Sequence, residues 1–160
     1  IRLCKLADSG LGARSLGQNP GALVASPTYL RRHGTPRKPG ELRGHDALIY
    51  SSVQGDDFWR LRTPAGELVN VPVSGRMRSN NLSALLAAAR AHLGVAALPR
   101  YVAAESLASG RGVAVLKTCQ LPEQEIHAVF PSPRLLPQKV SSFVAFMQGR
   151  FEARWWEQLK

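Results

Sequence analysis

The stretch Leu23-Val-Ala-Ser-Pro-Thr-Tyr-Leu-Arg-Arg-His-Gly-Thr-Pro36 decides the fold, because it passes from a buried strand into a short helix. Ser26 suits the N-cap position, and Pro27 suits the first helical position, where a backbone N–H is not needed. Gly34 then provides a C-terminal stop. The pattern predicts a strand that is followed directly by a helix N-terminus. The free backbone N–H groups of such an N-terminus can bind a carboxylate or a phosphate.

A second segment, Arg76-Met-Arg-Ser-Asn-Asn-Leu-Ser-Ala-Leu-Leu86, follows the same logic. A short strand runs into two asparagines and then into an amphipathic helix. One of Asn80 and Asn81 caps the helix, and the other has a free amide close by. The alternative is that both are local cap or turn residues without a ligand. Because ligands of α/β sheets bind beyond the carboxyl ends of strands, we expect both helix starts to occupy such positions.

Strands and helices alternate along the rest of the chain, which predicts an α/β architecture with a mixed, largely parallel sheet. Residues 58–62 and 68–73 flank a Pro/Gly turn and predict a hairpin, with Pro72 on a sheet edge. Residues 11–16 are expected to be irregular. A long helix is expected from Gln138 to the C-terminus.

The composition is typical of a globular protein, with 44% hydrophobic and 20% charged residues in a chain of 160. The net charge of +10 suggests nucleic acid, but the arginines are spread along the chain without interleaved aromatics. We therefore do not expect this chain itself to contact DNA or RNA. No apolar run approaches the length of a membrane helix, and no signal-peptide pattern is present, so no membrane partner is expected.

Two cysteines, Cys4 and Cys119, lie far apart without a CxxC motif. They fit a reducing, cytoplasmic compartment, although a single disulfide stays open as an alternative. The chain opens on Ile1-Arg-Leu-Cys4, which is typical of the middle of a strand, so we expect it to be a fragment.

Catalytic and metal-binding patterns are not found in the sequence. The four histidines fall in four different predicted elements, so we expect no metal site. GxSxG, P-loop and GxGxxG motifs are missing, and Asp56-Asp57 fits a solvated turn. The sequence therefore predicts a binding protein without cofactor rather than an enzyme.

A series of motifs spans nearly the whole chain in a fixed order: Ile1-Arg-Leu3, Ala7-Asp-Ser9, Ala13-Arg-Ser-Leu16, residues 23–36, Leu42-Arg-Gly-His45, Asn80-Asn81-Leu82, Leu93-Gly-Val-Ala-Ala-Leu-Pro99 and Leu136-Pro-Gln-Lys-Val-Ser-Ser-Phe143. This series resembles the effector-binding domain of LysR-type transcriptional regulators. The resemblance implies a fold like a type II periplasmic binding protein, with two α/β lobes and an effector in the cleft between them.

The same resemblance implies a division of the chain. Residues 1–22 and 128–160 would form part of lobe one, and residues 23–127 would form lobe two. Lobe one would be incomplete, and the N-terminal winged helix-turn-helix of the family would be missing.

The resemblance also implies positions for ligand-binding residues. Arg2 matches a strand-end position that faces the ligand, although a structural salt bridge is the alternative. Ser26 and Pro27 match the crossover beside the cleft, and Asn80, Asn81 and Leu82 match a helix start that presents backbone N–H groups. Val95 and Ala96 match the strand at the back of the lobe. His92 departs from the family, which has glycine there, so we expect the end of that helix to be arranged differently.

The resemblance finally implies a function. The chain would sense a small, anionic metabolite as part of a homodimeric or homotetrameric bacterial regulator, and the missing N-terminal domain would bind promoter DNA. The alternative is a fragment of a solute-binding protein of a transport system, which shares the fold. An enzyme on this fold is a more distant third, because no acid/base constellation is visible.

Overall fold

The protein is described by a computed structural model over residues 1–3, 12–51, 58–130, 137–151 and 155–157. The chain divides into two compact units. Ile1–Asn19 and Glu123–Lys160 form the first unit, and Pro20–Pro122 form the second unit. The junctions fall at 19/20 and 122/123, compared with the expected 22/23 and 127/128.

The described residues form ten strands and four α-helices. The strands are β1 (Arg2–Leu3), β2 (Gly12–Asn19), β3 (Gly21–Ala25), β4 (Asp46–Tyr50), β5 (Phe58–Arg62), β6 (Leu68–Pro72), β7 (Ser74–Ser79), β8 (Val95–Pro99), β9 (Val113–Val115) and β10 (Gln124–Phe130). The helices are α1 (Pro27–His33), α2 (Leu82–Arg90), α3 (Arg100–Ala108) and α4 (Gln138–Arg150). Short 3-10 helices cover Pro39–Gly44 and Trp155–Glu157.

The first unit is an antiparallel sheet in the order β1-β10-β2, packed against α4. Its core consists of Leu16, Ile126, Ala128 and Val144. The expectation that residues 11–16 are irregular is wrong from Gly12 onward. Strand β2 obtains its hydrogen-bond ladder from β10, which is distant in sequence, although its own residues show no apolar alternation.

The second unit contains a five-stranded sheet in the order β7-β4-β8-β3-β9. Strand β4 runs parallel to both of its neighbours, whereas β3 runs antiparallel to β8 and to β9. The α/β class with mixed sheets is confirmed, but the expected largely parallel pairing is wrong. Strand β3 joins the sheet beside the carboxyl end of β8, where Gly21 pairs with Pro99, and therefore has to run in the opposite direction.

The predicted hairpin is confirmed as the antiparallel pair β5 and β6, which forms a separate two-stranded sheet. Its inner side chains, Trp59, Leu61 and Val71, are buried in the same core as β3 and β4. Pro72 ends β6 opposite Phe58.

Helix α4 is shorter than expected, because it ends at Arg150 instead of continuing to the C-terminus. Gly149 lies in its last turn, and glycine is a poor helix former. Trp155 therefore lies in a separate 3-10 helix, where its ring meets Phe151 edge-to-face at 5.0 Å. In the part of the chain that is described, no helix has both the length and the apolar character needed to cross a bilayer.

A buried tyrosine joins α1 to the start of β4. The Tyr29 hydroxyl accepts a hydrogen bond from the Asp46 backbone N–H at 2.9 Å and lies 3.3 Å from Nδ1 of His45. The Tyr29 ring also stacks on His33, with ring centroids 4.2 Å apart. Burial, followed by the positive charge of His33, lowers the pKa of His45. Burial therefore favours the neutral form of His45, whose Nδ1 lies within hydrogen-bond distance of the tyrosine hydroxyl.

This arrangement predicts a loss of stability in mild acid. A histidine with a lowered folded-state pKa contributes stability that is present above its unfolded pKa of about 6.5 and is lost as the pH falls below it. We expect the free energy of unfolding in urea to fall between about pH 7.5 and about pH 5. The fall should be smaller in His45→Gln. His33→Gln should also reduce the fall, but less than His45→Gln, because the charge of His33 is the second cause after burial. An equal loss in all three proteins would contradict the assignment.

Candidate ligand site

Three strand ends meet at one edge of the five-stranded sheet. Strands β4, β7 and β8 are parallel, so their last residues, Tyr50, Ser79 and Pro99, lie at the same edge. Gly21, the first residue of β3, pairs with Pro99 there. We call this edge of the second unit the junction edge, because the chain enters the unit beside it. Both α2 and α3 begin at this edge.

The start of α2 is capped by Asn81 and not by Asn80. Oδ1 of Asn81 accepts hydrogen bonds from the backbone N–H groups of Ser83 and Ala84, at 2.9 and 3.2 Å. Within the described residues, the backbone N–H of Leu82 has no acceptor. Asn80 is exposed, so its amide is available at the same helix start. The amide and the Leu82 N–H therefore form a pair of free donors.

The start of α3 is not among the candidate site residues predicted from the sequence, although the sequence predicts a helix there. No side chain caps this helix, and its first backbone N–H, that of Arg100, donates to the Pro20 carbonyl at 2.8 Å. Pro20 is the first residue of the second unit. A strand closed by proline and followed by a helix is visible in the sequence at Pro99, as it is at Ser26-Pro27. This signal could have identified the second helix start.

The junction edge is electropositive. Arg100 and Lys117 line a cavity of about 20 Å³ beside Gly21. The cavity has room for about one water molecule, so a metabolite does not fit inside it. Two helix N-termini add partial positive charge to these cations. The edge therefore favours an anion that binds on its surface.

Ser26 and Pro27 follow the carboxyl end of β3, as the sequence predicts, but this end lies at the edge of the sheet opposite the start of α2. Val24 pairs with Ala96, near the beginning of β8. The five residues of β3 separate the two edges by about 16 Å. The physical reason is the antiparallel direction of β3, which sends its carboxyl end away from the junction edge.

Ser26 serves the fold in this position. The residue is 1% exposed, and its Oγ accepts from the backbone N–H of Tyr29 at 3.1 Å. The same Oγ lies 2.7 Å from Nδ1 of His92. The Ser26 hydroxyl therefore caps α1 and links it to the residues that follow α2, as a structural contact.

The end of α2 corrects the expectation about His92. The backbone N–H of Leu93 bonds to the Ala88 carbonyl, and that of His92 bonds to the Ala89 carbonyl, which is the usual glycine-type helix end. His92 adopts the required left-handed conformation, with φ of +66°. The helix end is thus arranged as glycine would arrange it, and the hydrogen bond to Ser26 helps to offset the strain.

Val95 and Ala96 have no exposed surface, and both are paired with β4 through Ala47 and Leu48. Their side chains support the core of the sheet and have no surface to offer a ligand. Leu82 is half-buried against the core cluster of α2, so only its backbone N–H is available at the edge.

Arg2 lies in the first unit, on β1, where it pairs with His127. Its side chain lies outside the described residues, as do Cys4 and the pair Asp56-Asp57. Within the described residues, no group of three or more side chains is placed to hold a metal ion.

Comparison with known proteins identifies the family. The profile of the LysR substrate binding domain matches residues 1–152. The chain belongs to the LysR substrate-binding-domain family. The family consists of regulator domains and not of enzymes, in agreement with the sequence prediction.

Two curated relatives show the extent of the similarity. A transcriptional regulator of the helix-turn-helix type from Xanthomonas campestris is 32% identical over 153 residues, which cover 94% of this chain and 44% of the relative. The transcriptional activator AaeR of Escherichia coli is 31% identical over 151 residues, which cover 94% of this chain and 48% of the relative. The chain thus spans about half the length of these relatives or less.

Solved structures confirm the fold. The full-length Vibrio cholerae virulence activator AphB, a member of the LysR-type regulator family, superposes with a TM-score of 0.78 at 30% identity, covering 91% of this chain and 49% of AphB. The regulatory domain of CrgA from Neisseria meningitidis gives 0.76 at 24% identity, covering 94% of this chain and 73% of CrgA, and supports the fold alone. The neighbours share the periplasmic-binding-protein-like type II fold, as predicted.

The geometry predicts different roles for Ser26 and Asn80. Ser26→Ala removes a helix cap and the partner of His92, so we expect it to lower the free energy of unfolding by about 1 to 2 kcal/mol. Asn80→Ala removes an exposed amide, and the change should stay within about 0.5 kcal/mol. Chemical denaturation monitored by circular dichroism measures both. Equal destabilisation by the two substitutions would contradict these roles.

Proposed function

We propose that the chain is the effector-sensing part of a LysR-type regulator, and that it binds a small anionic metabolite at the junction edge. The observation that carries the proposal is that two helices, α2 and α3, begin at the same edge of the sheet, where Arg100 and Lys117 also lie. Each helix has nine residues, so each has a positive dipole end at this edge.

A carboxylate is the ligand group that suits these donors best. One oxygen would accept from the free backbone N–H of Leu82, and the other from the amide of Asn80. Hydrogen bonds to a charged acceptor are about twice as strong as those between neutral groups. The guanidinium of Arg100 would provide positive charge, while the backbone N–H of Arg100 keeps its hydrogen bond to Pro20. The organic part of the metabolite would rest on the side chains around Tyr50, which is half-buried at the same edge.

Ligand binding would act on the point where the chain enters the second unit. The Arg100 N–H donates to the Pro20 carbonyl, so a ligand on the first turn of α3 would act on the first residue of the second unit. Occupancy would shift an equilibrium between two assembly geometries of a homodimer or homotetramer. In the whole protein, this shift would alter promoter binding by an N-terminal winged helix-turn-helix, in the cytoplasm.

The alternative of a transport-linked solute-binding protein has lost its support, because the curated relatives are transcriptional regulators. The anion-binding edge alone does not distinguish the two functions, since a solute-binding protein could use the same donors. The family membership therefore favours the regulator.

The proposal predicts that Asn80→Ala weakens anion binding without loss of stability. Acetate, succinate, benzoate and phthalate would be titrated against the 160-residue chain, with the shift in thermal unfolding as the measurement. For the carboxylate with the largest shift, we expect the Kd to rise about tenfold, because one charge-assisted hydrogen bond is lost.

Asn70→Ala on β6 is the matched control, since Asn70 is also exposed but lies on the hairpin. Its Kd should equal that of the unsubstituted chain. An unchanged Kd in Asn80→Ala would remove Asn80 from the site. A chain that responds to none of the four anions would contradict carboxylate binding at this edge.

A further inference from the structure

Five cations lie close together at the end of the second unit that faces away from the junction edge. These are Arg31, Arg32, Arg37, Lys38 and Arg43, and all five are exposed. We call this group the basic end. In the sequence they form two adjacent pairs, Arg31-Arg32 and Arg37-Lys38, and the single Arg43, so they do not form an uninterrupted basic run.

The Tyr29 network gathers these residues in space. His33, at the end of α1, stacks on the Tyr29 ring, and the Tyr29 hydroxyl accepts from the N–H of Asp46, where β4 begins. The 3-10 helix Pro39–Gly44 ends directly before this point. The last turn of α1, the loop after it and the 3-10 helix are therefore held at the same edge. The contact between His92 and Ser26 adds the exposed Arg90, at the end of α2, to the same region.

The described carboxylates at this end are already engaged. Glu41 accepts from the backbone N–H of Arg37 at 2.7 Å, which lowers the pKa of Glu41 and keeps it ionised. Asp46 pairs with Arg76 at 2.9 Å, and Glu105 pairs with Arg111. In the described part of the chain, no carboxylate forms an ion pair with a cation of the basic end. The ionised Glu41 interacts electrostatically with Lys38 and Arg37 and offsets one of the five positive charges, so the basic end keeps a net positive charge.

The surface between these cations is not suited to a protein partner. The apolar residues of the segment, Leu30, Pro36 and Leu42, are buried, and none of the large exposed hydrophobic side chains that the structure describes lies there. Protein interfaces are centred on aromatic and apolar anchors, and single-stranded nucleic acids need aromatic stacking platforms. A duplex phosphate backbone needs only cations, and arginine suits it because its planar guanidinium can bond two phosphate oxygens.

We propose that the basic end contacts the phosphate backbone of duplex DNA without reading its sequence. The contact lies on the opposite edge from the proposed effector site, so the second unit would meet effector and DNA at different ends. This inference replaces the expectation, made from the spread of arginines in the sequence, that the chain itself does not contact DNA. The proposal does not depend on the proposed effector site, because it involves none of the same residues.

The test compares two variants of equal net charge. Arg31→Gln, Arg32→Gln, Arg37→Gln and Lys38→Gln are combined in the first variant. The matched control combines Arg14→Gln, Arg60→Gln, Lys139→Gln and Arg150→Gln, which are exposed positions outside the basic end with the same number of arginines and lysines. Binding of the 160-residue chain to a fluorescent mixed-sequence DNA duplex is measured by anisotropy over a range of salt concentrations. A fluorescent poly-glutamate chain is the second probe.

We expect the first variant to bind duplex DNA at least about tenfold more weakly than the control at low salt. Its plot of log binding constant against log salt concentration should have a shallower slope, which corresponds to about three fewer phosphate contacts. Equal weakening of both variants would show that only net charge matters, which would overturn the proposal. If the first variant loses poly-glutamate binding but keeps its DNA binding, the partner is an acidic protein and the proposal is overturned. Absence of DNA binding by the unsubstituted chain would also overturn the proposal. If the fourfold variant does not fold, Arg37→Gln with Lys38→Gln provides the same comparison in the loop alone, against Arg60→Gln with Lys139→Gln.

Discussion

The direction of β3 through the sheet of the second unit is the constraint on which the rest of the structure depends. Because β3 pairs antiparallel with β8, the first residue of the unit, Pro20, lies beside the start of α3, at the edge of the sheet where α2 also begins. The same direction carries Ser26 to the far edge, where it can only cap α1 and bond to His92. If β3 ran parallel to β8, Ser26 would lie at the junction edge and Pro20 at the far edge. One strand direction thus separates an edge rich in free donors from an edge in which the donors are used by the fold.

Local features could be predicted from the sequence, because they depend on residues near one another. The cap at Ser26, the Asn cap of α2 and the β5–β6 hairpin follow from capping and turn chemistry, and all three are present. The position of these elements in the sheet could not be predicted, since strand partners are distant in sequence. Strand β2 shows the same limit, because its ladder comes from β10 and not from any pattern of its own. The site residues divide accordingly: Asn80 and Asn81 lie at the donor-rich edge, whereas Val95 and Ala96 belong to the core.

The charges of the second unit are also organised by non-local contacts. The cations of residues 31–43 are held at the basic end because the Tyr29 hydroxyl joins α1 to the start of β4. The cations of the junction edge instead lie at the edge where α2 and α3 begin, which suits a small anion. Two electropositive regions therefore differ in what they offer: one has directed donors for a single ligand group, and the other has a spread of charge for an extended polyanion. Membership in a family of regulators gives both regions a plausible use.

The central claim is that a small anion binds at the junction edge and not at α1. The most direct measurement follows backbone amide signals by NMR while the carboxylate with the strongest thermal shift is titrated into the chain. We predict that the largest shift occurs at the N–H of Leu82, and that the N–H of Tyr29 stays unchanged because it is already bonded to Ser26. The largest changes at Tyr29 and its neighbours in α1, with Leu82 unaffected, would contradict the account.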